Sequence, residues 1–310
     1  MRNVAGRTFA GEALQAPALR RHVAACRNAV LPGARLALFL GHAHVGYVAA
    51  DLAECLAGRL GGTIRAASAQ RPASLRLPEA AAARLNAVTV ALAPRFAIQP
   101  RGEEFDIRAT PDDASHGVID RGAIPALGMI GIGVHLNGYL ERPDGPQLWI
   151  ARRARDKRTD PGKLDNLVGG GVPAGLSPVE TLAKEADEEA GIAADLIAGA
   201  REVARIPYAI EREGGLRRDL LVCYDLALPE GFRPRPVDGE VESFELWPAA
   251  DVVAALAQGE SFKFNVPLVL LEFLHRRGLL PADEAAWIAA DLRADPQGAM
   301  AALPSPGRQA

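Results

Sequence analysis

Gly170 to Ile192 reads GGVPAGLSPVETLAKEADEEAGI, and the reading of this stretch decides the fold. Ser177, Pro178 and Glu180 supply an N-cap, a first-turn proline and the acidic residue of a capping box. Gly191 supplies the left-handed stop that ends a helix. The spacing therefore predicts a helix over Pro178–Ala190. On it Glu185, Glu188 and Glu189 fall at i, i+3 and i+4 and crowd one face, while Leu182, Ala183, Ala186 and Ala190 lie toward another. Each like-charge pair costs roughly 0.2 to 0.5 kcal/mol, and no basic residue on the same turns is placed to neutralise all three. Clustered carboxylate oxygens suit a hard divalent cation, and Mg2+ in particular is held by a few carboxylates together with substrate phosphates. A solvated acidic face would show the same letters. The glycine-rich loop feeding the helix turns the reading toward metal.

A glycine loop, a capped helix with E-x-x-E-E, then glycine and an aliphatic residue resembles the Nudix box, G-x5-E-x7-R-E-U-x-E-E-x-G-U with U aliphatic. Gly170, Glu185, Ala186, Glu188, Glu189, Gly191 and Ile192 match in register. Two positions depart: Leu176 stands where the box has its first Glu, and Lys184 replaces its Arg. Both are positions that support the loop and helix. The resemblance implies an α+β protein whose C-terminal part is a Nudix α/β/α sandwich. It also implies Mg2+ (or Mn2+) held by Glu185, Glu188 and Glu189, and pyrophosphohydrolase chemistry.

Upstream, Trp149-Ile150-Ala151-Arg152-Arg153 is followed by Lys157, Thr159, Pro161-Gly162 and Leu164-Asp165-Asn166. This second motif resembles two Nudix branches. One is isopentenyl diphosphate isomerase, which needs a cysteine and a metal-binding histidine where this chain has Gly169 and Gly171; that chemistry is excluded. The alignment still carries over Arg153 and Lys157 as contacts to a diphosphate, against the plainer reading of a solvated basic strand end. The other branch is a two-domain group of hydrolases, similar to plant and yeast enzymes, that acts on thiamin diphosphate and its damaged analogues. It is resembled further in Val134-His135-Leu136-Asn137-Gly138-Tyr139, in Asp238-Gly239-Glu240-Val241-Glu242 leading to Trp247, and in Phe262-Lys263-Phe264-Asn265. The resemblance implies Glu240 as fourth carboxylate or general base, with Glu242 as the fallback, although a plain turn residue would look the same. Lys263 has the length to meet a phosphate, or is a surface lysine. His135, on an alternating strand, reads as a satisfied core histidine.

The chain has 310 residues, 49% hydrophobic and 24% charged, enough for two domains of ordinary globular composition. The expected division is an N-terminal α+β module of unassigned role over 1–120, a Nudix domain over 121–300 and a frayed tail over 301–310. Asp112 to Arg121, polar and turn-rich, marks the boundary. In the module, Pro17 to Val30 reads as helix, Arg35 to Leu40 as strand and Tyr47 to Leu60 as helix. His42 and His44 form a possible metal pair that reads as a loop. A net charge of -3 argues against a nucleic-acid partner, and no apolar run suggests a membrane span. Cys26, Cys55 and Cys223 are few and odd in number, as in reduced cytosolic thiols. The Arg-rich start, with Glu12 the only acid in thirty residues, looks superficially like a transit peptide. Only four lysines occur in the whole chain, however, so arginine is its default cation and a cytoplasmic enzyme is expected. The substrate implied is a small-molecule diphosphate, thiamin diphosphate or an oxidised analogue. The alternatives are a nucleoside diphosphate-sugar or dinucleotide hydrolase and a non-catalytic ligand sensor.

Overall fold

The computed structural model describes residues 17–304 except Glu260; the Arg-rich start up to residue 16 and most of the expected tail, 305–310, lie outside the described residues. In chain order the elements are α1 (Pro17–Ala25), β1 (Leu36–Leu40), β2 (Ala43–Val48), α2 (Ala50–Leu60), β3 (Thr63–Arg65), β4 (Ser74–Leu77), α3 (Ala82–Leu92), β5 (Glu104–Asp106), β6 (Val118–Asp120) and α4 (Ile124–Leu127). There follow β7 (Ile130–Leu140), β8 (Gln147–Arg153), β9 (Leu164–Asp165), β10 (Val168–Gly171), α5 (Pro178–Ala190), α6 (Ala194–Ile197), β11 (Arg201–Arg212), β12 (Gly215–Ala227), β13 (Val241–Pro248), α7 (Ala249–Gln258), α8 (Val266–Arg276) and α9 (Ala282–Arg293). No helix among the described residues is long and apolar enough to cross a membrane.

The larger sheet runs β11-β12-β7-β8-β13, with β10 on β7 and β9 on β8. Because side chains alternate along a strand, β12 serves two cores at once. Leu221 and Cys223 join Tyr208, Ile150 and the apolar faces of α7, α8 and α9 on one side. Val222 and Tyr224 join Val134, Leu136 and the Leu182, Ala186 and Ala190 stripe of α5 on the other. This is the α/β/α sandwich. The first helix belongs to it as well: Leu19, Val23 and Cys26 are buried among the α7–α9 residues, and the Leu256 carbonyl lies 2.7 Å from the His22 ring.

A smaller sheet, β2-β1-β4-β3, packs α2 and α3 through Leu38, Leu52, Leu56 and Leu85, so both halves mix helix and strand. The strand β2 occupies residues expected to open a helix. Gly41, at φ 60°, turns the chain back on β1, and Val45 and Tyr47 are buried there, so the helix begins only at Ala50. A fourth core joins the sheets, with Phe39 and Tyr47 from the small one, Ile130, Leu216 and Leu220 from the large one, and Met300 near the C-terminus. There the backbones touch: a Cβ on Gly46 would stand 2.3 Å from the Leu127 carbonyl oxygen. His44 is not in a loop but buried in β2, its ring against Phe39 and Tyr47.

Candidate active site

The helix α5 keeps the bounds expected of it. Ser177 Oγ accepts from the Glu180 N–H at 3.3 Å, and the Glu180 carboxylate accepts from the Ser177 N–H at 2.9 Å. Its faces differ from the expectation in one respect: Ala183 is exposed and Glu189 is buried. The cause is β10, a strand of glycines laid against the helix. The Gly169 N–H donates to Glu189 Oε2 at 2.9 Å. Glu185 lies so close on Gly170 that a Cβ there would meet its carboxyl carbon at 2.4 Å. Only glycine leaves room for that side chain. Glu188 turns the other way, to Lys184 Nζ at 2.5 Å, and Lys184 also stands 3.6 Å from Glu185. The residue replacing the box arginine therefore neutralises two of the three carboxylates. With Glu188 so engaged, no three His, Cys, Asp or Glu side chains among the described residues converge in a metal-holding group.

Opposite the helix, Lys157 forms an ion pair with Glu240, whose turn is tied to the end of β8 by the Ala154 N–H on the Glu240 carbonyl at 2.9 Å. The charges of these groups act on one another. Burial raises the Glu185 pKa, Lys184 opposes this, and Glu188, Glu240 and Glu103 add to it. Burial pushes Glu189 up to about 8 against the Gly169 N–H, with Asp165 and Glu185 adding. For Glu240 burial also acts upward, but the Lys157 hydrogen bond and the charges of Lys157, Arg121 and Arg153 prevail and hold it below the usual range.

Two residues expected to touch a phosphate are placed otherwise. Arg153 is 7% exposed. Its guanidinium donates to Asp165 Oδ2 at 2.6 Å and to the Thr159 carbonyl at 2.9 Å. Lys263 Nζ stands 3.3 Å from the same Asp165 oxygen and is held below the ordinary lysine range, chiefly by burial. A carboxylate buried beside Glu189 needs opposite charge close at hand, and both cations meet that need. They form a floor beneath Glu189 instead of an open contact surface. His135 is a core histidine, as its strand suggests: 3% exposed, it meets Asn166 Oδ1 at 2.9 Å. Glu242 faces away, 3.4 Å from Arg155.

The N-terminal half adds residues that no motif marks. Beside Gly171, a Cβ would stand 2.4 Å from Phe105 Cζ and 3.3 Å from Arg121 Cζ, and Arg121 donates to Glu103 at 2.8 Å. All three come from the β5–β6 hairpin and its ends, where the sequence marks a strand at Phe105 to Ile107 and a turn-rich boundary at Asp112 to Arg121 but no site. Past Gly171 a cleft of about 470 Å³ opens between this hairpin and the large sheet. Leu176, the first departure from the box, lines it.

Residues 133–266, which carry most of the large sheet, the glycine strand and the carboxylate helix, match the family model described as the NUDIX domain. The chain is 43% identical over 188 residues to Nudix hydrolase 20, chloroplastic, and 40% identical over 188 residues to Nudix hydrolase 24, chloroplastic, both from Arabidopsis thaliana. Those alignments cover 61% of this chain, and 50% and 52% of the relatives, so the chain spans about half the length of the curated relatives it matches. A Deinococcus radiodurans crystal structure superposes on 54% of this chain and 97% of its own at 24% identity and a TM-score of 0.44.

Proposed function

We propose that the protein is a metal-dependent diphosphatase that cleaves a diphosphate joined to an organic group. The observation that supports this best is the buried Glu189 carboxylate. It takes one N–H from Gly169 and stands beside Glu185 and Asp165 within the matched domain. Carboxylate oxygens are the donors that Mg2+ or Mn2+ prefers, and Glu188 would join Glu185 and Glu189 when a cation takes the place of Lys184. A metal held by these carboxylates would supply charge neutralisation of the diphosphate and acidification of a water. The chain's own groups do the rest. Glu240, kept ionised by Lys157, or Glu185 takes a proton from that water. Lys157 and Arg121 meet the nonbridging oxygens, while Arg153 and Lys263 hold Asp165 and the floor under Glu189.

The resemblance from Val134 to Asn265 supports thiamin diphosphate or an oxidised analogue, hydrolysed to the monophosphate. Trp149 and Tyr208 are buried, and Tyr139, Trp247 and Phe264 pack on the core. None of them forms the stacking platform that a nucleotide base uses. Phosphate release with Mg2+ should be compared across thiamin diphosphate, its oxo and oxy analogues, ADP-ribose and a flavin dinucleotide. A tenfold lead in kcat/KM for either of the last two, about 1.4 kcal/mol, overturns the substrate and leaves the reaction standing.

A further inference from the structure

The strand β10 and its continuation form a graded path. Gly169 holds Glu189, Gly170 lies under Glu185, Gly171 abuts Phe105 and Arg121, and Val172 lines the cleft. The Val172 N–H still pairs with the Ile132 carbonyl at 2.8 Å, so at about 3.3 Å per residue the cleft begins roughly 7 Å from Gly170.

The cleft floor is apolar, built by Ile130, Ile132, Leu220 and Val222 of the large sheet. Its opposite wall comes from the N-terminal half: Phe105 supplies the one aromatic ring in the lining, and Asp106 a carboxylate. Hydrogen bonds from Arg108 at 2.7 Å and from the Gly175 N–H at 3.4 Å hold Asp106 in place. Among the lining residues Asp106, Asp112 and Glu180 are acidic and Arg108 and Arg205 basic, a balance of three against two. Its arginines are paired with its acids, Arg108 with Asp106 and Arg205 with Asp112, so the lining offers no excess positive charge to a phosphate and suits an uncharged or positive group. About 470 Å³ is the scale of a small-molecule site.

We propose that this cleft binds the organic group of the diphosphate substrate, that the group is an uncharged or cationic ring system, and that Phe105 and Asp106 of the N-terminal half select it. The proposal rests on the diphosphatase reading and assigns the N-terminal half a part in specificity. Every diphosphate shares the reacting end, so selection has to come from contacts such as these.

The test measures kcat/KM of the full chain with Mg2+ on methyl, benzyl, carboxybenzyl and N-methylpyridinium-methyl diphosphate. The benzyl and pyridinium compounds should exceed the methyl compound by about tenfold, and the carboxybenzyl compound should be the poorest of the rings. Phe105→Ala should lower the benzyl-to-methyl ratio by about tenfold, with Phe105→Leu recovering part of it. Asp106→Asn should narrow the preference for pyridinium over carboxybenzyl. Ile132→Trp, at a half-buried position of the floor, fills the cleft from the other wall and should lower the same benzyl-to-methyl ratio without touching Phe105. Ratios equal to wild type in Phe105→Ala and Ile132→Trp overturn the proposal. If the wild-type chain cleaves no diphosphate, the reaction is wrong, and calorimetric titration with N-methylpyridinium-methyl phosphate decides the cleft. Weaker binding to Phe105→Ala and Ile132→Trp then supports it, and unchanged binding sinks it.

Discussion

In the C-terminal half, α5 is capped by its own Ser177 and Glu180, carries its carboxylates at helical spacing, and stops at Gly191. In the N-terminal half, the β5–β6 hairpin pairs three residues with three and brings Glu103, Phe105 and Arg121 to the same glycine strand, with no periodicity or cap to announce it. Chemistry written in one short stretch is legible because its geometry is local. Specificity written across two distant segments is not. The comparison also shows where the halves depend on each other, since the core of Phe39, Tyr47, Ile130 and Leu220 belongs to both sheets.

The sharpest way to break the contrast is at the carboxylates. Glu188→Gln should lower kcat/KM with Mg2+ by about a thousandfold, about 4 kcal/mol of transition-state stabilisation. Metal-free stability should move by less than about 0.5 kcal/mol, because the lost Lys184 pair and the relieved repulsion nearly offset each other. Full turnover at saturating Mg2+ would remove these carboxylates from the reaction.

The junction comes next. Gly46→Ala places a Cβ 2.3 Å from the Leu127 carbonyl oxygen, and relieving that overlap should destabilise the chain by about 3 kcal/mol in urea unfolding. A variant as stable as wild type would show that the two backbones can part freely.

A smaller, pH-dependent effect sits nearby. Burial, with Arg218 adding, pushes the His44 pKa down to about 3, so the folded chain keeps this ring neutral while the unfolded chain protonates it below about 6.5. The contribution is therefore complete above pH 6.5 and is lost as pH falls toward 3, at up to about 1.4 kcal/mol per unit. His44→Gln should flatten the fall in Tm between pH 6.5 and 5, and an unchanged slope would place the acid sensitivity elsewhere.

The mildest change restores the standard box letters. Leu176 lines the cleft while Lys184 pairs with Glu188, so the two stand in separate surroundings. Lys184→Arg should keep the pair and change kcat/KM by less than about threefold, about 0.7 kcal/mol. Its effect should add to that of Leu176→Glu without coupling. A sensor made active only by the double change would overturn the catalytic reading.

Several features were readable without coordinates. The bounds of α5 follow from capping contacts within four residues, and β1 follows from the apolar run that ends at Leu40. The positions of Glu185, Glu188 and Glu189 along α5 follow from helical spacing, while their division between the buried glycine strand and Lys184 comes from the packing. Other features depend on contacts far apart in sequence, where one cation has several possible partners. Arg153 and Lys263 carry positive charge in any reading, yet only the fold places both on the buried Asp165. Lys184 is one helical turn from Glu188 in the sequence, but β10 leaves Glu188 free to meet it by drawing Glu189 onto Gly169. The first helix shows the same limit. Its amphipathic pattern demands a partner without naming one, and the tertiary structure pairs it with α7, α8 and α9 because their apolar faces are the ones left uncovered on that side of the sheet.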